Sequence, residues 1–135
     1  MKTKLFLLMA ILGFISTCQQ TNVLYAQEIK KGMIKVTIFY PNGEGKTFDM
    51  NYYVTKHMPL VAQLLGDSLK SLSIDKGISG RTPDAPVPYL AIGHLYFESV
   101  SAYQNSMKLN GEKIRGDVPN YTNIQPVIQI SEVLE

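Results

Sequence analysis

The chain has 135 residues, enough for one domain of ordinary size. It holds 13 Lys and Arg against 11 Asp and Glu, but Lys2 and Lys4 fall in the first 26 residues, which contain no acid. Residues 27–135 are therefore neutral, and the only Cys in the sequence is Cys18. This composition excludes a disulfide framework, a cysteine-rich metal site or a thiol nucleophile after residue 26, and it gives no positive charge for nucleic acid.

The first 26 residues have the pattern of a secretory signal peptide. A basic start at Lys2 and Lys4 precedes the apolar run LFLLMAILGFI. This run is much shorter than the roughly 20 apolar residues of a transmembrane helix. We therefore expect an exported protein, with residues 1–26 as the signal and residues 27–135 as one domain.

Two processing routes stay open. Cleavage after Ala26 would release the protein into the periplasm or the medium. Lipidation of Cys18 would instead leave a membrane-anchored lipoprotein. Leu24 and Thr17 are each larger than the residue usual at that position of the respective signal.

The sequence of the first half of the domain predicts a strand, a helix and a second strand. Residues 33–40 (MIKVTIFY) are rich in β-branched and aromatic types and run into a Pro-Asn-Gly turn. A helix is predicted over residues 49–65, with Asp49 as its N-cap and Gly66 as its stop. Residues 69–77 predict the second strand.

The second half of the domain predicts a loop, a third strand, a second helix and a last strand. Residues 77–88 are rich in Gly and Pro and predict that loop, and residues 89–97 (YLAIGHLYF) predict the clearest strand of the chain. Ser99 opens a second helix. Residues 111–123 are expected to be irregular apart from their first few, and residues 126–134 predict the last strand.

The order β-α-β-β-α-β predicts an α+β, ferredoxin-like fold, an antiparallel four-stranded sheet with two helices on one face. The first strand carries large apolar side chains in both directions, since Val36 and Ile38 oppose Met33 and Phe39. Two helices cover only one face, so a second copy is expected to pack sheet against sheet. The result would be a symmetric homodimer with a shared barrel.

Five segments carry a family resemblance. They are FDMNYY (residues 48–53), HMPLV (57–61), PYLAIGHLYF (88–97), GDVPNYT (116–122) and QPVIQISEV (125–133). In combination the pattern resembles the EthD family of dimeric α+β barrel proteins, over about residues 33–134.

The resemblance implies a small apolar, aromatic or phenolic ligand without defining a reaction. Relatives in the wider barrel superfamily include cofactor-free monooxygenases, muconolactone-type isomerases and polyketide-modifying enzymes. We therefore expect either a cofactor-independent oxidoreductase or isomerase, or a non-catalytic carrier or accessory module.

His57 is the candidate catalytic base. It shares a helix face with Tyr53 and Leu60, so it is expected to point toward the sheet, where burial would favour the neutral imidazole. Pro59 cannot donate to the carbonyl of Thr55 and is expected to bend the helix there. A core histidine without a chemical role is the other interpretation.

Four further residues are candidate substrate-binding groups: Tyr53, His94, Asp117 and Tyr121. His94 follows Gly93 on the third predicted strand, and the sequence leaves open whether it shares a cavity with His57. Asp117 is a candidate to orient either histidine, and Tyr121 to hydrogen-bond a ligand oxygen. A loop held by its own hydrogen bonds explains Asp117 and Tyr121 equally well.

No cofactor or metal is expected. The sequence lacks a glycine-rich phosphate loop and a nucleophile elbow, and two histidines without a close carboxylate fall short of a three-ligand metal site. RNP-type RNA-binding domains share the βαββαβ order, but they need aromatic and basic residues on the third strand. YLAIGHLYF contains no Lys or Arg, which argues against nucleic acid.

Overall fold

The computed structural model describes residues 27–135. The predicted signal peptide, with Cys18, therefore lies outside the described residues. Four strands form the sheet: β1 (Ile34–Pro41), β2 (Ser71–Lys76), β3 (Tyr89–Phe97) and β4 (Val127–Glu132). Their order across the sheet is β2-β3-β1-β4, and every neighbouring pair is antiparallel. This is the predicted ferredoxin-like arrangement.

The first helical segment contains three geometries in succession. It begins as α1 (Met50–Tyr52), widens into a π-helix (Tyr53–His57) and continues as α2 (Met58–Leu65). The Asp49 side chain accepts from the Tyr52 N–H at 2.9 Å, which confirms it as the N-cap. Gly66 ends α2 at φ 52°, a left-handed conformation that glycine adopts without steric cost, and a 3-10 turn (Gly66–Ser68) follows.

The second helix, α3 (Val100–Asp117), is longer than predicted. Ser99 caps it as expected, accepting from the Ala102 N–H at 3.1 Å. Two glycines, Gly111 and Gly116, lie inside the helix in the polar stretch that was predicted to be irregular. Each costs only about 1 kcal/mol in a helix interior, and packing of the apolar face that includes Ile114 outweighs that cost.

The helices cover one face of the sheet, and no helix within residues 27–135 covers the other, which is called the open face. Strand register places Val36 and Ile38 of β1 beside Leu95 and Gly93 of β3 on the covered face. There they meet Tyr53, Met58 and Val61 from the helices in the apolar core. No helix within residues 27–135 combines the length and apolar character needed to cross a membrane.

Candidate functional site

The π-helix positions two buried side chains, Tyr53 and His57. In it the Met58 N–H bonds to the carbonyl of Tyr53, five residues earlier. Pro59, which has no N–H to give, follows at once, so the wider turn stands where the regular ladder would be interrupted. The rings of Tyr53 and His57 stack inside this turn, 5.6 Å apart and 16° from parallel. Single π-turns of this kind frequently occur at functional sites.

His57 is buried, with 3% of its surface exposed, and it lines a cavity between the helices and the sheet. Its Nδ1 lies 2.8 Å from Oδ2 of Asp117. An ionised carboxylate can only accept, so the Nδ1–H donates and the lone pair lies on Nε2. Within residues 27–135 no side chain or backbone group hydrogen-bonds Nε2.

The pKa of His57 is lowered from its ordinary value. Burial disfavours the imidazolium and is the larger effect, while the hydrogen bond and charge of Asp117 partly offset it. His57 is therefore a neutral imidazole at neutral pH, with Nε2 available as a proton acceptor. This agrees with the expectation drawn from its place on the helix.

Asp117 is the last residue of α3 and is held by three partners. Besides His57 on Oδ2, its Oδ1 accepts from the Tyr52 hydroxyl at 2.9 Å and from the Asn120 side-chain amide at 2.8 Å. Burial opposes ionisation of Asp117, but the hydrogen bonds from these three residues outweigh it and lower the pKa. The carboxylate is thus fixed both in position and in charge.

The segment after α3 brings Asp117 to His57 across 60 residues of sequence. The Asp49 N–H donates to the carbonyl of Tyr121 at 2.7 Å, and the Thr122 hydroxyl donates to the carbonyl of Thr47 at 2.7 Å. These bonds tie the end of α3 to the start of the first helical segment. The pair of His57 and Asp117, called the dyad below, therefore depends on tertiary structure that joins two distant parts of the chain.

The cavity beside His57 measures about 170 Å³. That volume lies below the several hundred Å³ of a typical drug-sized pocket and close to the roughly 150 Å³ of an engineered cavity that holds benzene. One aromatic ring with small substituents would fill it. Its wall combines aliphatic residues with a few polar ones: Val36, Ile38, Tyr40, Tyr53, His57, Met58, Val61, Leu95, Tyr103, Met107, Ile114, Arg115, Val118, Pro126 and Ile128.

Tyr121 lies behind His57 instead of in the cavity wall. Its ring centroid is 4.5 Å from that of His57, and its hydroxyl is 2.7 Å from the Tyr40 hydroxyl. Burial is the main reason that the pKa values of Tyr40, Tyr53 and Tyr121 are all raised. These phenols keep their protons at neutral pH, and of the three only Tyr40 and Tyr53 face the cavity.

His94 lies on the opposite face of the sheet from His57. Strand register pairs it with Thr37 of β1 and Ser73 of β2. Its Nε2 is 2.7 Å from Oδ2 of Asp75, and its Nδ1 is 3.5 Å from the Thr37 hydroxyl. The two histidines therefore do not share a cavity, and Asp117 orients His57 alone.

Two residues that line the cavity were not candidates from the sequence. Tyr40 has the pattern of an ordinary strand residue, and Arg115 falls in the stretch predicted to be irregular. If the helical periodicity is continued past Gly111, Arg115 falls about two turns beyond Met107 on the same face of the helix. Within the described range, no group of three or more His, Cys, Asp or Glu is arranged to hold a metal ion.

The model of the EthD domain family matches residues 42–125, a span that contains His57, Asp117 and Tyr121. None of the curated proteins matches the sequence. A solved EthD-like protein from Ralstonia eutropha JMP134 is 40% identical, with a TM-score of 0.74, and the alignment covers 78% of this chain and 96% of that one.

A second solved structure is more distant. It is an ethyl tert-butyl ether (EthD) family protein from Bacillus halodurans C-125, 16% identical, with a TM-score of 0.54 and coverage of 76% of this chain and 99% of that chain. At that identity the likeness shows the fold alone. The family match and the Ralstonia relative together carry the assignment: this chain belongs to the EthD family.

Proposed function

We propose that this EthD-family protein binds a one-ring apolar or phenolic compound in the cavity and removes a proton from it with His57. The observation that carries the proposal is the pairing of His57 Nδ1 with Asp117 at 2.8 Å, while Nε2 is left without a partner among the described residues. A carboxylate that fixes the tautomer and orientation of an imidazole is a recurring way to build a general base.

The reaction would begin at an acidic C–H or phenolic O–H of the bound compound. When a C–H bond breaks, its proton goes to Nε2 and the electron pair stays on the substrate as an enolate. Return of the proton at another carbon gives an isomerase. Reaction of the carbanion with dioxygen gives a cofactor-independent oxidation.

Deuterium exchange tests the base directly. Phenylacetone is a one-ring ketone with exchangeable C–H groups, and its proton signals in D₂O report the rate of proton removal by NMR. We expect the protein to accelerate exchange over buffer and His57→Gln to lose about 10²- to 10⁴-fold of that acceleration. His94→Gln is the matched control, because His94 lies outside the cavity, and it should keep the acceleration.

A second candidate function is a non-catalytic carrier. It is favoured by the hydroxyl pair of Tyr40 and Tyr121, which satisfy each other at 2.7 Å and leave few polar groups to steer a reaction beside His57. Phenylacetone that binds with unaccelerated exchange, in the wild type as in His57→Gln, would favour the carrier over the base.

We further propose a homodimer formed through the open face of the sheet. Apolar side chains on that face include Phe39, Ile92 and Val127, and the rings of Phe39 and Tyr89 lie 5.0 Å apart. Polar groups interrupt the face at Thr37, His94 and Asp75, so the apolar part forms a patch toward one end of the sheet. Burial of such a patch against its symmetry mate supplies a driving force for association.

The proposed location is outside the cytoplasm, on the strength of the basic and apolar start of the sequence. Release after Ala26 is the favoured route, and anchoring through Cys18 is the alternative. An intact-mass measurement on protein from its own source distinguishes the two, because the first gives a chain that starts at Gln27 and the second adds acyl groups to Cys18.

A further inference from the structure

We infer that the compound bound beside His57 carries an anionic group, and that Arg115 at the mouth of the cavity selects for it. The inference rests on the proposed function, since it describes the ligand of the same cavity. The chemical class it assigns is a one-ring carboxylate or a similar small organic anion.

Arg115 is the one formally charged residue in the described wall of the cavity, and no acidic residue of that part of the chain joins it there. Arg115 and Ile128 are both exposed members of the wall, so the mouth opens between the C-terminal part of α3 and strand β4. A guanidinium at this position meets whatever part of a ligand projects from the apolar interior.

The guanidinium is also left without a competing anion. No carboxylate within residues 27–135 forms an ion pair with Arg115, and the nearby Asp117 is already bound by His57, Tyr52 and Asn120. Arg115 acts electrostatically on Tyr103, another residue of the wall, since its charge partly offsets the rise in the Tyr103 pKa that burial causes. The positive charge therefore acts toward the cavity.

Gly111 makes room for this arrangement. A Cβ placed on Gly111 would lie 2.7 Å from Nη1 of Arg115 and 3.3 Å from Cε of Met107. Glycine is unfavourable inside a helix, yet any side chain here would push the guanidinium away from the helix surface. Gly116 offers a contrast on the same helix, because a Cβ there would contact nothing within 4 Å.

The physical chemistry points to an anion at the mouth and a ring inside. An unpaired carboxylate is too costly to bury among aliphatic side chains, whereas a planar guanidinium binds one through two parallel hydrogen bonds. A ring with one ionised substituent satisfies both parts of the site, the cavity taking the ring and Arg115 the charge.

Two probes of the same shape test the inference, 4-hydroxybenzoate, which is ionised at neutral pH, and the neutral 4-hydroxybenzamide. Their Kd values are measured by calorimetry on the dimer or monomer as purified. We expect the wild type to bind the acid about tenfold more tightly than the amide, which corresponds to about 1.4 kcal/mol. The preference should shrink as salt is added.

Substitutions then locate the preference. Arg115→Met should abolish the preference for the acid, while Lys113→Met, an exposed position outside the cavity wall, should retain it. Gly111→Ala should weaken acid binding although it favours the helix, and Gly116→Ala should leave acid binding unchanged.

The outcomes separate this inference from the proposed function. Equal Kd values for acid and amide in the wild type, or a preference that survives in Arg115→Met, would overturn the role of Arg115 in selecting an anion and leave the proposed function standing. If Arg115 only stabilises the C-terminus of α3, its substitution lowers the melting temperature without changing the ratio of the two Kd values. That outcome also overturns the inference. Failure of both probes to bind at millimolar concentration would overturn the one-ring site together with the inference.

Discussion

The hydroxyl of Tyr53 occupies the space that a side chain at Gly93 would need. A Cβ built on Gly93 would collide with that hydroxyl, and Cε of Met58 would lie 3.6 Å away. The absence of a side chain on β3 thus lets the π-helix approach the sheet closely enough for Tyr53 to be almost fully buried. Tyr53 and Met58, which pack against Gly93, both line the cavity.

This fit predicts the effect of Gly93→Ala. We expect the free energy of unfolding to fall by about 1–3 kcal/mol, because the added methyl group overpacks a rigid aromatic side chain. Urea denaturation measures the loss. Tyr53→Phe removes the colliding oxygen, so the double variant should recover part of the stability lost in Gly93→Ala. Additive losses in the double variant would contradict the stated contact.

The dyad predicts how the pKa of His57 responds to its partner. Asp117 raises that pKa by hydrogen bonding and charge, against the larger lowering by burial. Asp117→Asn should therefore lower the pKa of His57 further below its ordinary value of 6.5. The sequence contains two histidines, so a His94→Gln background leaves one imidazole signal to follow by NMR titration. A pKa that rises in Asp117→Asn would contradict the dyad.

The lowered pKa of His57 also predicts that acid destabilises the protein. The unfolded chain protonates His57 near pH 6.5 while the folded chain resists until a lower pH, so the free energy of unfolding falls as the pH drops through 6.5. Asp117 adds a second loss that begins near its ordinary pKa of 3.8 and continues to the lower folded value.

Urea denaturation at pH values from about 5 to 8 measures the first of these losses. In His57→Gln the free energy of unfolding is expected to change less steeply with pH in this window, whatever the effect of the substitution on stability at neutral pH. His94→Gln, which leaves His57 in place, should keep the part of the slope due to His57. An unchanged slope in His57→Gln would show that His57 is not buried as a neutral base.

The proposed homodimer predicts that a charge on the open face separates the copies. Ile92→Glu places a carboxylate beside Phe39 in the apolar patch, and we expect it to halve the mass measured by sedimentation equilibrium. Leu109→Glu is the control, because Leu109 is 81% exposed on α3, and it should leave the mass unchanged. A wild-type protein that sediments as a monomer at micromolar concentration would contradict the dimer.

Local patterns in the sequence were sufficient for the order of elements and for the places where helices begin. Asp49 and Ser99 cap their helices as predicted, because an N-cap depends on a side chain and an amide only three residues away. The alternation of residues in β1 likewise placed Val36 and Ile38 on one face. The predicted end of α3 was wrong, because packing against the core overrides the local preference of the polar residues after Gly111.

The sequence by itself was sufficient for the ferredoxin-like fold and for the choice of His57 as the candidate base. Only the tertiary structure decided which carboxylate serves it, which face His94 takes and where Arg115 lies. Those relations depend on contacts between different elements: the segment after α3 is bonded to Thr47 and Asp49, and pairing of β3 with β1 and β2 sets the surroundings of His94. Periodicity along a single element carries no information about which other element it will meet.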